Sequence, residues 1–136
     1  MCQQIEREYV VINLSREAEI ATRVRIAGTS EVRRKGLLGA NGLAMDSGLW
    51  IAPCEAIHTF GMKMPIDAIF LDEHFCVTKI AQVLRPWRLA VCMRAASVLE
   101  LEMGTIARTQ TAVGDRLVFR AEAAIRERET VADKVL

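Results

Sequence analysis

Apolar and polar residues along this chain alternate mostly with the period of β-strands. Residues 8–14, Glu-Tyr-Val-Val-Ile-Asn-Leu, are rich in β-formers, and Ser15-Arg16-Glu17 can turn the chain. From Glu19 to Ile26 the alternation is strict: Ile20, Thr22, Val24 and Ile26 share one side, Glu19, Ala21, Arg23 and Arg25 the other. This predicts an opening hairpin with a wet outer face. After Ala27-Gly28, Thr29 or Ser30 can cap a short helix through Leu38, and Gly39-Ala40-Asn41-Gly42 stops it.

Further along, Gly48 to Ala52 reads as a short apolar strand before Pro53, and Ile57 to Met64 as an extended segment ended by Pro65. Ile66 to Leu71, a turn at Asp72-Glu73-His74, and Phe75 to Val83 predict a second hairpin. Arg85-Pro86-Trp87 is a loop, Val91 to Arg94 reads as extended, and Ser97 to Leu101 as a strand. Gly104 to Thr109 can form one helical turn, and Val113 to Arg116 a tight turn into the strand Leu117-Val118-Phe119. Ala121 to Leu136 favours a terminal helix or a frayed tail. The fold class expected is α+β: a mainly antiparallel sheet or partial barrel, one short helix after the first hairpin, and a C-terminal helix. The expected organisation is an N-terminal extension over 1–7, one domain over 8–119, and a helix or tail over 120–136.

With 136 residues the chain suits one domain, and 51% hydrophobic with 26% charged residues is a globular balance. Eighteen basic and 17 acidic residues leave a net charge of +1, so global electrostatics gives no reason to expect nucleic acid, duplex DNA included, or an acidic membrane as a partner. Locally the balance shifts. Between His74 and Leu99 there is no acid, while Lys79, Arg85, Arg88 and Arg94 fall there. No apolar run approaches the ~18 residues of a membrane span, and the N-terminal Met-Cys-Gln-Gln-Ile-Glu-Arg has no apolar core of a signal peptide, so a cytoplasmic setting is expected. Cys2, Cys54, Cys76 and Cys92 contain no Cys-x-x-Cys pair and read as free thiols.

The segment from His58 to Asp67, His-Thr-Phe-Gly-Met-Lys-Met-Pro-Ile-Asp, holds the most unusual residue types. If extended, it places His58, Phe60, Met62 and Met64 on one face, and Lys63 can pair with Asp67 across the proline corner. At this point the sequence resembles the bacterial and archaeal domain of unknown function 192 family, in the branch whose central motif reads like His58-Thr59-Phe60-Gly61-Met62. The carriers, in order, are Arg34 to Gly39, Gly48-Leu49-Trp50, Cys54 with His58 to Met62, Pro65-Ile66-Asp67, Phe70-Leu71-Asp72, Leu84 to Arg88, Val98 to Leu101, and Gly114-Asp115. The resemblance implies a compact β-rich domain and no assigned activity. Carried over position by position, it marks His58, Thr59, Met62, Lys63, Asp67, Arg85, Trp87 and Glu100.

Three kinds of function are open to these residues. A binding module would use Trp87 as a flat apolar contact, with Arg85, Arg88 and Lys63 as cations for a small anionic ligand, a glycan or a protein partner. Its candidate ligand-binding residues are His58, Thr59, Lys63, Asp67, Arg85, Trp87 and Glu100. An enzyme would need His58 beside a thiol or carboxylate, but an extended 54–58 separates Cys54 and His58 by about 13 Å. A metal site would start from His74 and Cys76, two ligands short of a structural zinc site. No cofactor is expected, and an enzyme is the less favoured class. A purely structural or interaction role is the remaining alternative, and Glu100, inside an apolar strand, fits structural pairing.

Overall fold

In the computed structural model of the chain, residues 7–27 and 44–121 are described. The helix expected over 29–38 lies outside them, as does all but the first residue of that expected over 121–136. Nine strands occur among the described residues: β1 (Glu8–Asn13), β2 (Ala18–Ala27), β3 (Ser47–Ile51), β4 (Ala56–His58), β5 (Ile66–Leu71), β6 (Val77–Leu84), β7 (Leu89–Val91), β8 (Ser97–Glu102) and β9 (Leu117–Ala121). One short helix, α1 (Thr105–Thr109), accompanies them.

The fold is mainly β, which corrects the α+β class expected from the pattern. More than half of the described residues are strand, and the one described helix has five residues. The expectation gave weight to segments of good helix formers. Such propensity is worth under about 1 kcal/mol per residue and yields to pairing. Ala121, the first residue of the expected terminal helix, ends β9 by pairing with Tyr9.

Seven strands form one sheet in the order β6-β5-β8-β3-β2-β1-β9, curled into a half-barrel. Every pairing is antiparallel except β2 with β3. Both expected hairpins, β1–β2 and β5–β6, are present. The two edge strands meet at one end. The Val77 N–H donates to the Asp115 carbonyl and the Gly114 N–H to the Val77 carbonyl, both at 2.8 Å, and Leu117 N–H donates to Phe75 O at 2.9 Å.

Apolar side chains fill both faces of this sheet. Inside the curl, Val11, Ile20, Val24, Ile69, Leu71, Leu99 and Leu101 pack with Ile106 of α1, and Tyr9, Trp50, Phe75 and Phe119 join them. On the other face Leu49, Ile51, Ile66, Ala68, Phe70 and Val98 are covered by Ile57, Met62 and Ala90. β5 and β8 are therefore buried on both faces: all six residues of β5 and the first five of β8. Burying each such Leu, Ile or Phe contributes roughly 1.5–3 kcal/mol.

Bulges modify the strict alternation read for β2. The β1–β2 register shifts on either side of Val11, so that Ile20 and Ala21 are both buried while Ile26 is exposed. An extra residue on one strand turns subsequent side chains to the other face.

Candidate functional site

Outside the sheet lies a separate two-stranded ribbon of β4 and β7, with Ala56 opposite Val91, Ile57 opposite Ala90 and His58 opposite Leu89. Its inner residues, Ile57 and Ala90, cover the second cluster. Its outer residues are exposed. The chain is extended only to His58, not to Met64 as the alternation implied. Phe60 and Gly61 form a turn, with Gly61 at φ +80°, and Met62 swings inward to be buried while Phe60 stays out. The segment expected to be extended from Val91 to Arg94 likewise ends at Val91. Ala95 N–H then donates to Cys92 O at 3.0 Å and closes a turn.

Thr59 ties this turn to the loop after β6. Its side chain is fully buried, and its hydroxyl donates to the Arg85 carbonyl at 2.6 Å and accepts from the Arg88 N–H at 2.9 Å. Its own N–H donates to Arg88 O at 2.9 Å, and its carbonyl accepts from Trp87 N–H at 3.0 Å and Met62 N–H at 3.2 Å. Asp67 holds the end of β6, just before that loop, and the start of α1. One carboxylate oxygen accepts from Val83 N–H at 2.9 Å, and the other accepts from Gly104 N–H at 3.1 Å and Ile106 N–H at 2.8 Å, at the start of α1. Val83 and Trp87 both have positive φ, +52° and +62°. A β-branched or bulky residue adopts that region only when its surroundings impose it. Thr59 and Asp67, through these two N–H groups, are what imposes it here.

The loop so held presents an aromatic stack. His58 and Phe60 rings lie 4.8 Å apart at 26°, and Phe60 and Trp87 rings 5.9 Å apart at 22°. Trp87 is 67% exposed and Phe60 48%. Lys63, Arg85 and Arg88 are exposed in the same two loops, and Arg88 folds back to donate to the Trp87 carbonyl at 3.4 Å.

The candidate residues thus divide. His58, Trp87, Lys63 and Arg85 are displayed, whereas Thr59 and Asp67 are buried behind them and act as positioning groups. Glu100 is 3% exposed at the centre of β8, in register with Leu49 and Ala68, and is no part of the displayed surface. The Lys63–Asp67 pair does not form, because Asp67 directs both oxygens to backbone N–H groups. Phe60, the middle ring of the stack, was absent from the candidate set; an aromatic residue beside Gly61 was the signal for it.

The Cys54 thiol donates to Ala56 O at 3.0 Å and the Cys92 thiol to Thr78 Oγ1 at 3.4 Å. The His58 Nδ1 accepts from the Phe60 N–H at 3.3 Å. His74 lies at the surface, 3.4 Å from Glu73. Among the described residues no three His, Cys, Asp or Glu side chains gather at one point. No described helix is long and apolar enough to cross a membrane.

The family model for domain of unknown function 192, described as "Uncharacterized ACR", matches residues 11–119. The chain belongs to the domain of unknown function 192 family. No curated protein matches it. A solved structure from Sinorhizobium meliloti, described as a "putative transcription regulator", is 23% identical and superposes with a TM-score of 0.71, covering 88% of this chain and 97% of its own. A protein of unknown function from Novosphingobium aromaticivorans is 24% identical with a TM-score of 0.68, covering 82% of this chain and 83% of its own. At these identities the likeness establishes a shared fold and carries no activity with it.

Proposed function

We propose that this protein is a binding module whose site is the His58–Phe60–Trp87 stack with the cations of Lys63, Arg85 and Arg88. The observation that carries the reading is the buried hydroxyl of Thr59. It joins two loops 26 residues apart and leaves their aromatic side chains exposed on a fixed backbone. Side chains ordered in advance lose less freedom on association, so a surface of this kind binds more tightly for its area. The rings provide a flat apolar contact, and each guanidinium a planar fork for carboxylate or phosphate.

The ligand class this favours is anionic with an apolar portion. Duplex DNA is not assigned: the net charge is +1, and the five-residue described helix is too short to read a major groove. The free thiols of Cys76 and Cys92 fit the cytoplasmic setting expected from the sequence.

A thermal-shift screen against organic phosphates, carboxylates and sugars tests the reading. A ligand at a hundred times its dissociation constant adds about 2.7 kcal/mol. The expected result is a shift that Trp87→Ala removes; a shift indifferent to Trp87, Phe60 and Arg85 would place binding elsewhere.

A further inference from the structure

The displayed surface does not end at the stack. Along β7 the outward positions are Leu89 and Val91, with Trp87 before them and Met93 after, and all four are exposed, Leu89 to 63% and Met93 to 76%. The intervening Ala90 is buried. Leu89 and Val91 therefore form an apolar stripe along β7, joined to Phe60 at one end through Trp87 and the ring stack and followed at the other by Met93 in the turn. Isolated exposed apolar residues are ordinary, but a contiguous run of this size marks a contact surface.

Cations accompany the stripe from end to end. Arg88 precedes Leu89 and lies against the Trp87 carbonyl. Lys79 reaches across from β6 and donates to the Val91 carbonyl at 2.9 Å. Arg94, exposed, follows Met93. The stretch from Phe75 to Val98 contains no acid, and the exposed Glu55, just before β4, lies at the far end of the ribbon, where its carbonyl accepts from Cys92 N–H at 2.8 Å. The occupant is thus apolar in the middle and anionic at the rim.

We infer that the ribbon docks on the headgroup surface of an anionic lipid bilayer, inserting Trp87, Leu89 and Met93 while the exposed Arg88 and Arg94 meet lipid phosphates. The inference rests on the binding reading of the same loops and names its partner. Two properties favour a bilayer over a protein. The paired strands are three residues long, about 10 Å, whereas a stable protein interface takes about 20–30 residues a side. Trp, Leu and Met standing proud of a surface among Arg and Lys also match the depth profile of a lipid interface, with rings and aliphatic chains in the acyl boundary and long cationic side chains reaching up to phosphate.

Sedimentation of the full chain with phosphatidylcholine vesicles, with and without phosphatidylglycerol, tests this. Binding is expected to the anionic vesicles only, and Leu89→Ser and Met93→Ser should each weaken it about tenfold at unchanged melting temperature. Two positions are used so that a folding defect in one leaves the other as a readout. Absence of binding to anionic vesicles, as expected of a surface that meets a protein instead, overturns the inference. So does binding that both serine variants retain, since charge alone would then explain it. The small-ligand shift removed by Trp87→Ala is read separately. If it persists without vesicle binding, only the bilayer assignment falls.

Discussion

The Thr59 hydroxyl donates to the carbonyl oxygen of Arg85 at 2.6 Å, joining the turn after β4 to the loop after β6. The same oxygen accepts from Arg88 N–H, so one buried side chain satisfies backbone groups at both ends of the loop. Thr59→Val keeps the shape and leaves an acceptor and a donor without their partner. The expected loss is about 1–3 kcal/mol in urea unfolding, with weaker ligand binding because the stack is no longer held.

Asp67 supports the end of β6 that leads into that loop and the start of α1. Asp67→Ala removes the acceptor of three backbone N–H groups, Val83, Gly104 and Ile106. Hydrogen bonds to charged groups are worth about 1.5–3 kcal/mol each and do not simply add. The expected outcome is a loss of at least about 3 kcal/mol in the midpoint of chemical unfolding, a larger effect than any single displayed residue gives.

Acid should weaken the fold through Asp115. Burial opposes its ionisation, but Asn13 Nδ2, the Ala112 N–H and the Arg16 guanidinium, each near 3.0 Å from its Oδ2, outweigh that and hold its pKa below the ordinary 3.8. A folded pKa below the unfolded one means that the unfolded chain binds more protons. The stabilisation is therefore complete above the unfolded value and lost as pH falls through the folded one. Unfolding followed by circular dichroism below pH 4 should show a steep acid limb. In Asp115→Asn the limb should be shallower, and the protein less stable at neutral pH.

Gly48 tests the packing between β2, β3 and β8. A methyl there would stand 2.9 Å from Leu101 Cδ2 and 3.0 Å from the Glu100 carbonyl. The backbone oxygen cannot turn aside. Gly48→Ala is expected to cost about 1–3 kcal/mol by overpacking, measured as a lower thermal midpoint.

What the sequence made legible follows the range of the interaction. Both hairpins were readable because their strands are rich in β-formers between turn residues and their turns are local. The parallel partnership of β2 with β3 and the pairing of β4 with β7 were not, since each joins segments distant along the chain. Thr59 and Arg85 each stood out, but nothing in their spacing says that one hydroxyl joins them. Phe60 was assigned to the same face as Met62 on the assumption of an extended chain. Gly61, at positive φ, turns the chain between them, burying Met62 and exposing Phe60. Asp67 was legible as an unusual residue, yet its partners are backbone N–H groups, which leave no trace in side-chain patterns.

The most direct test of the central claim pairs Phe60→Ala with Trp87→Ala in one protein. Both side chains are exposed, so stability should stay within about 1 kcal/mol of the parent, while the thermal shift produced by the best anionic ligand of the screen should vanish. A double variant that keeps the ligand shift, or that loses its fold, would contradict the claim that these rings are displayed for binding.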